Sequence, residues 1–179
     1  LSSGSLLGDL QVLFGLKNEG TYRALSHVEV LKIPSILFKE FVKRNKLIKK
    51  LKKTQNVIEF LKKTWLFGES ISSPIQSKIA QNVLILKVNK GEKIDLVGLK
   101  LLKKGKVELN ISQKHTLEKK NIIGKGDFWG GEKIIGYKHI SINAKSISDT
   151  ELYHIHDFEI LKQIPIIRWK LLEQIGKHG

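Results

Sequence analysis

The apolar positions along the chain change period several times. Residues 6–16 (LLGDLQVLFGL) form an apolar run bounded by glycines. Residues 21–33 (TYRALSHVEVLKI) alternate loosely and predict two short strands around Ser26 and His27, with Pro34 ending the second. Over 35–65 the spacing widens to a helical period, with Ile36, Leu37, Phe38, Phe41, Val42, Leu47, Ile48, Leu51, Ile58, Leu61 and Trp65 supplying an apolar stripe over two or three helices. Gly68 and Pro74 punctuate its exit. Residues 83–123 then break into short β-branched runs divided by Gly91, Gly98, Gly105 and Gly124, an antiparallel pattern with many turns. A glycine-dense loop with a helix-compatible centre follows over 126–136, then two more strands over 140–155. From Asp157 to Ile175 the period is helical again, and Pro165 is placed to start the second of two helices.

The front of the chain, residues 4–45, repeats the order of the back, residues 126–175: glycine-rich loop, two strands, a Pro or Asp, helix. TYRALSHVEVLKIP lies over NAKSISDTELYHIH without a gap, so that Ser26 meets Ser148 and Glu29 meets Glu151. Such repetition marks one structural unit used twice, of which the first copy shows only its last third.

Composition narrows the chemistry. The 179 residues contain no Cys, which excludes disulfides and thiolate zinc sites. They contain no Met either, so Leu1 is read as an internal position of a longer or processed chain. No apolar run of membrane-spanning length and no signal peptide occur, which fits a cytoplasmic protein. Basic residues outnumber acidic ones 32 to 17, giving a net charge of +15. All but Arg23, Arg44 and Arg168 of these are lysines. Arg grips phosphate with a planar fork that Lys lacks.

Motifs for catalysis are missing. No G-x-S-x-G nucleophile is present, and Gly124-Lys125-Gly126 is not a phosphate-binding P-loop. His154 and His156 share a strand face at i and i+2, with Asp157 next to them, but no third convincing ligand accompanies them, and no metal is assigned.

With these residues in view, GSLLGDLQVLFG and TYRALSHVEVLKIP resemble the end of a cyclic nucleotide-binding domain. GKVEL, IGKGDFWGGEKIIG and NAKSISDTELYHI resemble the second half of another. The tandem order is similar to the regulatory subunits of cyclic-nucleotide-dependent kinases. The resemblance implies a mainly β fold with flanking helices: an eight-stranded, jelly-roll-like β-roll. It assigns residues 1–45 to the C-terminal part of a first domain and 46–179, including a linker helix, to a second. It also implies a phosphate-binding cassette in each, where backbone N–H groups at a short helix and an Arg hold the cyclic phosphate and a Glu takes the ribose hydroxyl. The implied ligands are cAMP or cGMP.

Carried over position by position, the first cassette places the Gly–Glu pair on Gly8 and Asp9, and the phosphate Arg on Asn18. The second places the pair on Gly131 and Glu132, and the Arg on Ile140 or Ser141, with Lys138 and His139 as the adjacent cationic candidates. Both keep the backbone frame and lose the guanidinium. A hydrogen bond to a charged group is worth about 1.5–3 kcal/mol, so losing a bidentate pair weakens cyclic nucleotide binding by roughly two orders of magnitude.

The densest charge is Lys43, Arg44, Lys46, Lys49, Lys50, Lys52 and Lys53, which reads either as a solvated inter-domain helix or as a patch for an acidic surface: a phospholipid face, an acidic tail or a filament. Nucleic acid is disfavoured, because no helix-turn-helix follows the second roll. The expected function is a non-enzymatic regulatory or scaffolding module of a larger protein, cytoplasmic and in one version bound to the cytoskeleton or a cilium. The alternatives are a working cyclic nucleotide sensor using Glu132 with Lys138 or His139, and the regulatory segment of a kinase, exchanger or channel.

Overall fold

The computed structural model describes residues 4–17, 20–68, 71–113, 119–132, 134–136, 140–156 and 158–178. The chain divides into two compact units, Leu1–Asn56 and Val57–Gly179.

The first unit holds a short helix α1 (Asp9–Phe14), then α2 (Ser35–Arg44) and the start of α3 (Ile48–Lys62). Gly8 and Gly15 flank α1 with φ of 78° and 65°, left-handed conformations that only glycine adopts cheaply. Pro34 precedes α2, as expected, and α2 closes in a Schellman arrangement. There Lys46 N–H donates to Lys43 O and Leu47 N–H to Val42 O, with Lys46 at φ 56°. The two strands expected over 21–33 are not formed. Residues 20–34 carry no strand and stand in solvent, with Leu25 95%, Val30 79% and Leu31 89% exposed. An isolated pair of strands is marginal in water, and the described residues of this unit offer no third strand to cover them.

The second unit opens on the rest of α3 and adds a helix that the sequence pattern did not announce, α4 (Ser73–Gln81), with Pro at its first turn. Four strands follow: β1 (Leu84–Val88), β2 (Leu99–Lys104), β3 (Val107–Gln113) and β4 (Lys119–Ile123). After β5 (Phe128–Trp129) come β6 (Ile140–Ser146) and β7 (Thr150–Ile155), then α5 (Phe158–Lys162) and α6 (Pro165–His178). Pro165 begins α6, as its fixed φ allows. One antiparallel sheet runs β1-β7-β2-β5 and the other β4-β3-β6. Seven strands are therefore formed among the described residues, where eight were expected. An additional stretch, residues 91–94, pairs with β6 through a single bridge at Lys93–Lys145 and flanking backbone bonds.

Gly105 is a corner rather than a hairpin turn, because β2 and β3 belong to different sheets. The chain returns between the sheets beside it, at 147–149. Lys106 N–H donates to Ser148 Oγ, Ile147 N–H to Lys106 O, and a Cβ on Gly105 would meet Asp149 O at 2.6 Å. The two sheets enclose a core of Leu102, Val107, Leu109, Ile111, Ile123, Trp129, Ala144 and Leu152. Alternation along β2 and β7 sends Leu102 and Leu152 inward and Leu101 and Tyr153 to the other face, where Phe60 of α3 meets the Tyr153 ring edge-on at 5.1 Å. The result is the expected mainly β roll with flanking helices.

Candidate functional site

A pocket opens where β3, β5 and β6 meet α6. It is lined by Leu109 and Ile111, Phe128 and Trp129, Glu132, Ile140 and Ile142, and Gln174. Its cavity volume is about 30 Å³, room for water-sized occupants. Among the described residues, the only charged lining group is the Glu132 carboxylate, and none that lines the pocket is basic.

Each wall follows from local sequence. On β6, Ile140 and Ile142 lie two apart and so share the inner face, while Ser141 between them is exposed on the outer one. The floor is set by the Trp129-Gly130-Gly131 turn. Gly130 has φ 85°, and a Cβ there would run into Gly98 O; a Cβ on Gly131 would meet Leu171 Cδ2 at 2.6 Å. A side chain is excluded at Gly130 by the backbone beside it, and one at Gly131 would force the buried Leu171 to shift. From α6, Leu171 is buried against Gly131, and Gln174 Nε2 donates to Phe128 O at 3.3 Å. Trp65 stacks on Phe128 with ring centroids 6.1 Å apart and receives the Lys170 ammonium over its face.

Behind Trp129 lies a buried polar pair. Lys100 stands opposite both Trp129 and His154 in the sheet register, with its Nζ 5.8 Å from the Trp129 ring centroid. His154 Nε2 donates to Val97 O at 2.9 Å. Burial holds the His154 pKa below the ordinary histidine range against the raising effect of that bond, and the charges of Lys100 and His156 push the same way as burial. Farther along β7, Lys103 bonds Glu151 at 2.7 Å, which raises the Lys103 pKa.

No protein-family model and no curated relative matches the sequence. Solved structures do. The regulatory domain of Toxoplasma gondii PKA, crystallised with cAMP, superposes with a TM-score of 0.58 at 13% identity, over 72% of this chain and 51% of that one. The regulatory subunit of a cAMP-independent protein kinase A from Trypanosoma brucei gives 0.57 at 13%, over 71% and 48%. Its counterpart from Trypanosoma cruzi, bound to guanosine, gives 0.57 at 14%, over 79% and 55%.

The fold is that of a cyclic nucleotide-binding domain. This chain spans about half the length of these neighbours.

Within that fold the expected cassette residues are distributed as follows. Gly131 and Glu132 sit together at the pocket, with Glu132 half-buried and facing it. The described residues 132 and 134–136 are turn rather than the short helix expected there, with Ile134 N–H bonded to Gly131 O at 3.0 Å; glycine at both ends of so short a segment disfavours a helix. Ser141 does not reach the pocket, and Ile140 does. Lys138 and His139 lie outside the described residues, as does Asn18. In the first unit, Gly8 and Asp9 begin α1, a helix with no buried residue, and the neighbouring Leu6 and Leu7 are exposed. Lys43, Arg44, Lys46, Lys49, Lys50, Lys52 and Lys53 are all exposed, along the end of α2, the turn and the first half of α3. Among the described residues no three potential metal ligands gather. No helix among them is long and apolar enough to cross a membrane.

Sequence reasoning missed α6 as a wall. Leu171 and Gln174 meet the cassette about forty positions away in the chain, and their helical spacing alone marks them only as members of an amphipathic helix.

Proposed function

We propose that this chain is a non-enzymatic regulatory or scaffolding module of a larger protein, whose second cassette keeps the cyclic nucleotide-binding frame without high affinity for cAMP or cGMP. The observation that carries this reading is the lining of the pocket among the described residues: one carboxylate, one amide, six apolar side chains and no cation. A cyclic phosphate brought there meets Glu132 without a compensating charge, and a buried anion without a partner is costly. α6 closes this side of the site, with Gln174 lining the pocket and Leu171 packed on Gly131. Residues 46–179 form the module on this reading, and 1–45 are the tail of a first such domain. Gly8, Asp9 and α1 occupy the place of its cassette, and the exposed Leu25, Val30 and Leu31 are positions that its other strands would cover. The setting is cytoplasmic, with a protein partner or the remainder of the chain as the effector.

A second reading keeps the site as a sensor for an uncharged nucleoside. The guanosine-bound trypanosomal neighbour favours it, and so does Glu132, whose carboxylate accepts from ribose hydroxyls and repels no charge on such a ligand. Lys138 and His139 belong to the cyclic nucleotide version of this sensor.

Equilibrium dialysis against cAMP, cGMP and guanosine separates the readings. No uptake of either cyclic nucleotide below millimolar concentration supports the module. Micromolar cAMP or cGMP binding that Glu132→Ala abolishes overturns it. Guanosine uptake lost in Glu132→Ala selects the second reading.

A further inference from the structure

The first unit carries a surface unrelated to the pocket. Between Glu40 and Glu59 the chain holds seven cations and no carboxylate. On α3, Lys49, Lys52 and Lys53 are exposed, and their spacing puts them along one side, while Thr54 is buried away from them and Gln55 is buried at the edge that Ile48 begins. Ile48 borders that side one turn before Lys52 and is 46% exposed, and Phe41 near the end of α2 is 55% exposed. The turn between the helices adds Lys46 in its left-handed conformation, so that cations are presented from two helix ends and their connection.

We infer that this surface docks on an anionic lipid bilayer. Its charge is complementary to a phosphate plane, and its layout suits one. Lysines on long stems need no fixed fork or register, which a plane of headgroups does not offer, whereas a folded acidic partner would be matched by the planar Arg fork. Ile48 and Phe41, apolar and exposed among the cations, supply the shallow insertion that distinguishes an interfacial helix from a merely solvated one. The surface is independent of the cassette, so its failure leaves the pocket reading standing.

The test is flotation of the full 179-residue chain with vesicles. Neutral phosphatidylcholine vesicles are compared with vesicles containing roughly 30 mol% phosphatidylserine. The expected result is recovery with the anionic vesicles alone and release at about 0.5 M NaCl. Lys49→Ala and Lys52→Ala each weaken partitioning roughly fivefold, and Ile48→Ser weakens it several-fold with circular dichroism unchanged. Equal recovery on both vesicles, or none on the anionic ones, overturns the proposal. So does polyglutamate or duplex DNA displacing the chain from vesicles at matched charge, since the surface then belongs to an acidic protein or a nucleic acid.

Discussion

Leu171 in the last helix rests directly on Gly131 of the cassette, so closely that a Cβ on the glycine would lie 2.6 Å from Leu171 Cδ2. The backbone of Gly131 is not in the left-handed region, so the glycine is required by this approach and not by its own dihedral angles. Gly131→Ala therefore destabilises the roll by about 1–3 kcal/mol through overpacking. In a Leu171→Ala background, which alone costs about 2–5 kcal/mol, the same change costs much less. Urea denaturation of the four proteins reads the coupling. Additive losses would mean that the two residues do not meet.

Lys46 holds a position that most helix ends give to glycine. Its φ of 56° costs a side-chain-bearing residue about 1–2 kcal/mol, part of which glycine returns to the unfolded chain as entropy. Lys46→Gly is expected to strengthen the α2–α3 turn by up to about 1 kcal/mol. Slower hydrogen exchange at the Leu47 amide, which bonds Val42 O, checks this. Faster exchange would contradict it.

The buried His154 makes stability depend on pH. Its folded pKa is depressed, first by burial, below the ordinary 6.5 that it recovers on unfolding. The unfolded chain therefore binds the proton first as pH falls. The contribution is fully present above 6.5 and is lost progressively below it, with a slope of at most about 1.4 kcal/mol per pH unit. Urea midpoints measured from pH 7.5 down to 5 fall more steeply for the native chain than for His154→Gln. Parallel curves would remove His154 as the cause.

The roll itself was legible because β3 and β6 keep a clean alternation of apolar and polar residues, and β2 and β7, buried on both faces, are short apolar-rich runs between glycine or serine turns. Leu109 and Ile111, or Leu152 beside Tyr153, announce buried faces without knowledge of the partner strand. The same signal misleads over 21–33, where it predicts two short strands that are not formed. Alternation is present there, but a strand exists only where another strand takes its hydrogen bonds. The opposite failure is α4, where only Ile75, Ile79 and Ala80 mark an apolar side, and Pro74 reads as a breaker when it is in fact the helix start. At the site, Gly131 and Glu132 were visible as a local motif. Whether Ile140 or Ser141 faces the pocket was not, because that depends on the register of β6 against β3, which pairs Ser141 with Ser112.

That register makes the account's central claim directly measurable. If the cassette frame is intact and lacks only its cation, then a guanidinium placed on the inner face of β6 restores phosphate binding, and one placed on the outer face does not. The measurement is titration calorimetry with cAMP on the native chain, Ile140→Arg and Ser141→Arg at low salt. The account predicts no saturable heat up to millimolar cAMP for the native chain and Ser141→Arg, and a gain of about a hundredfold in affinity for Ile140→Arg, the worth of one charge-assisted pair. Micromolar binding by the native chain would contradict it.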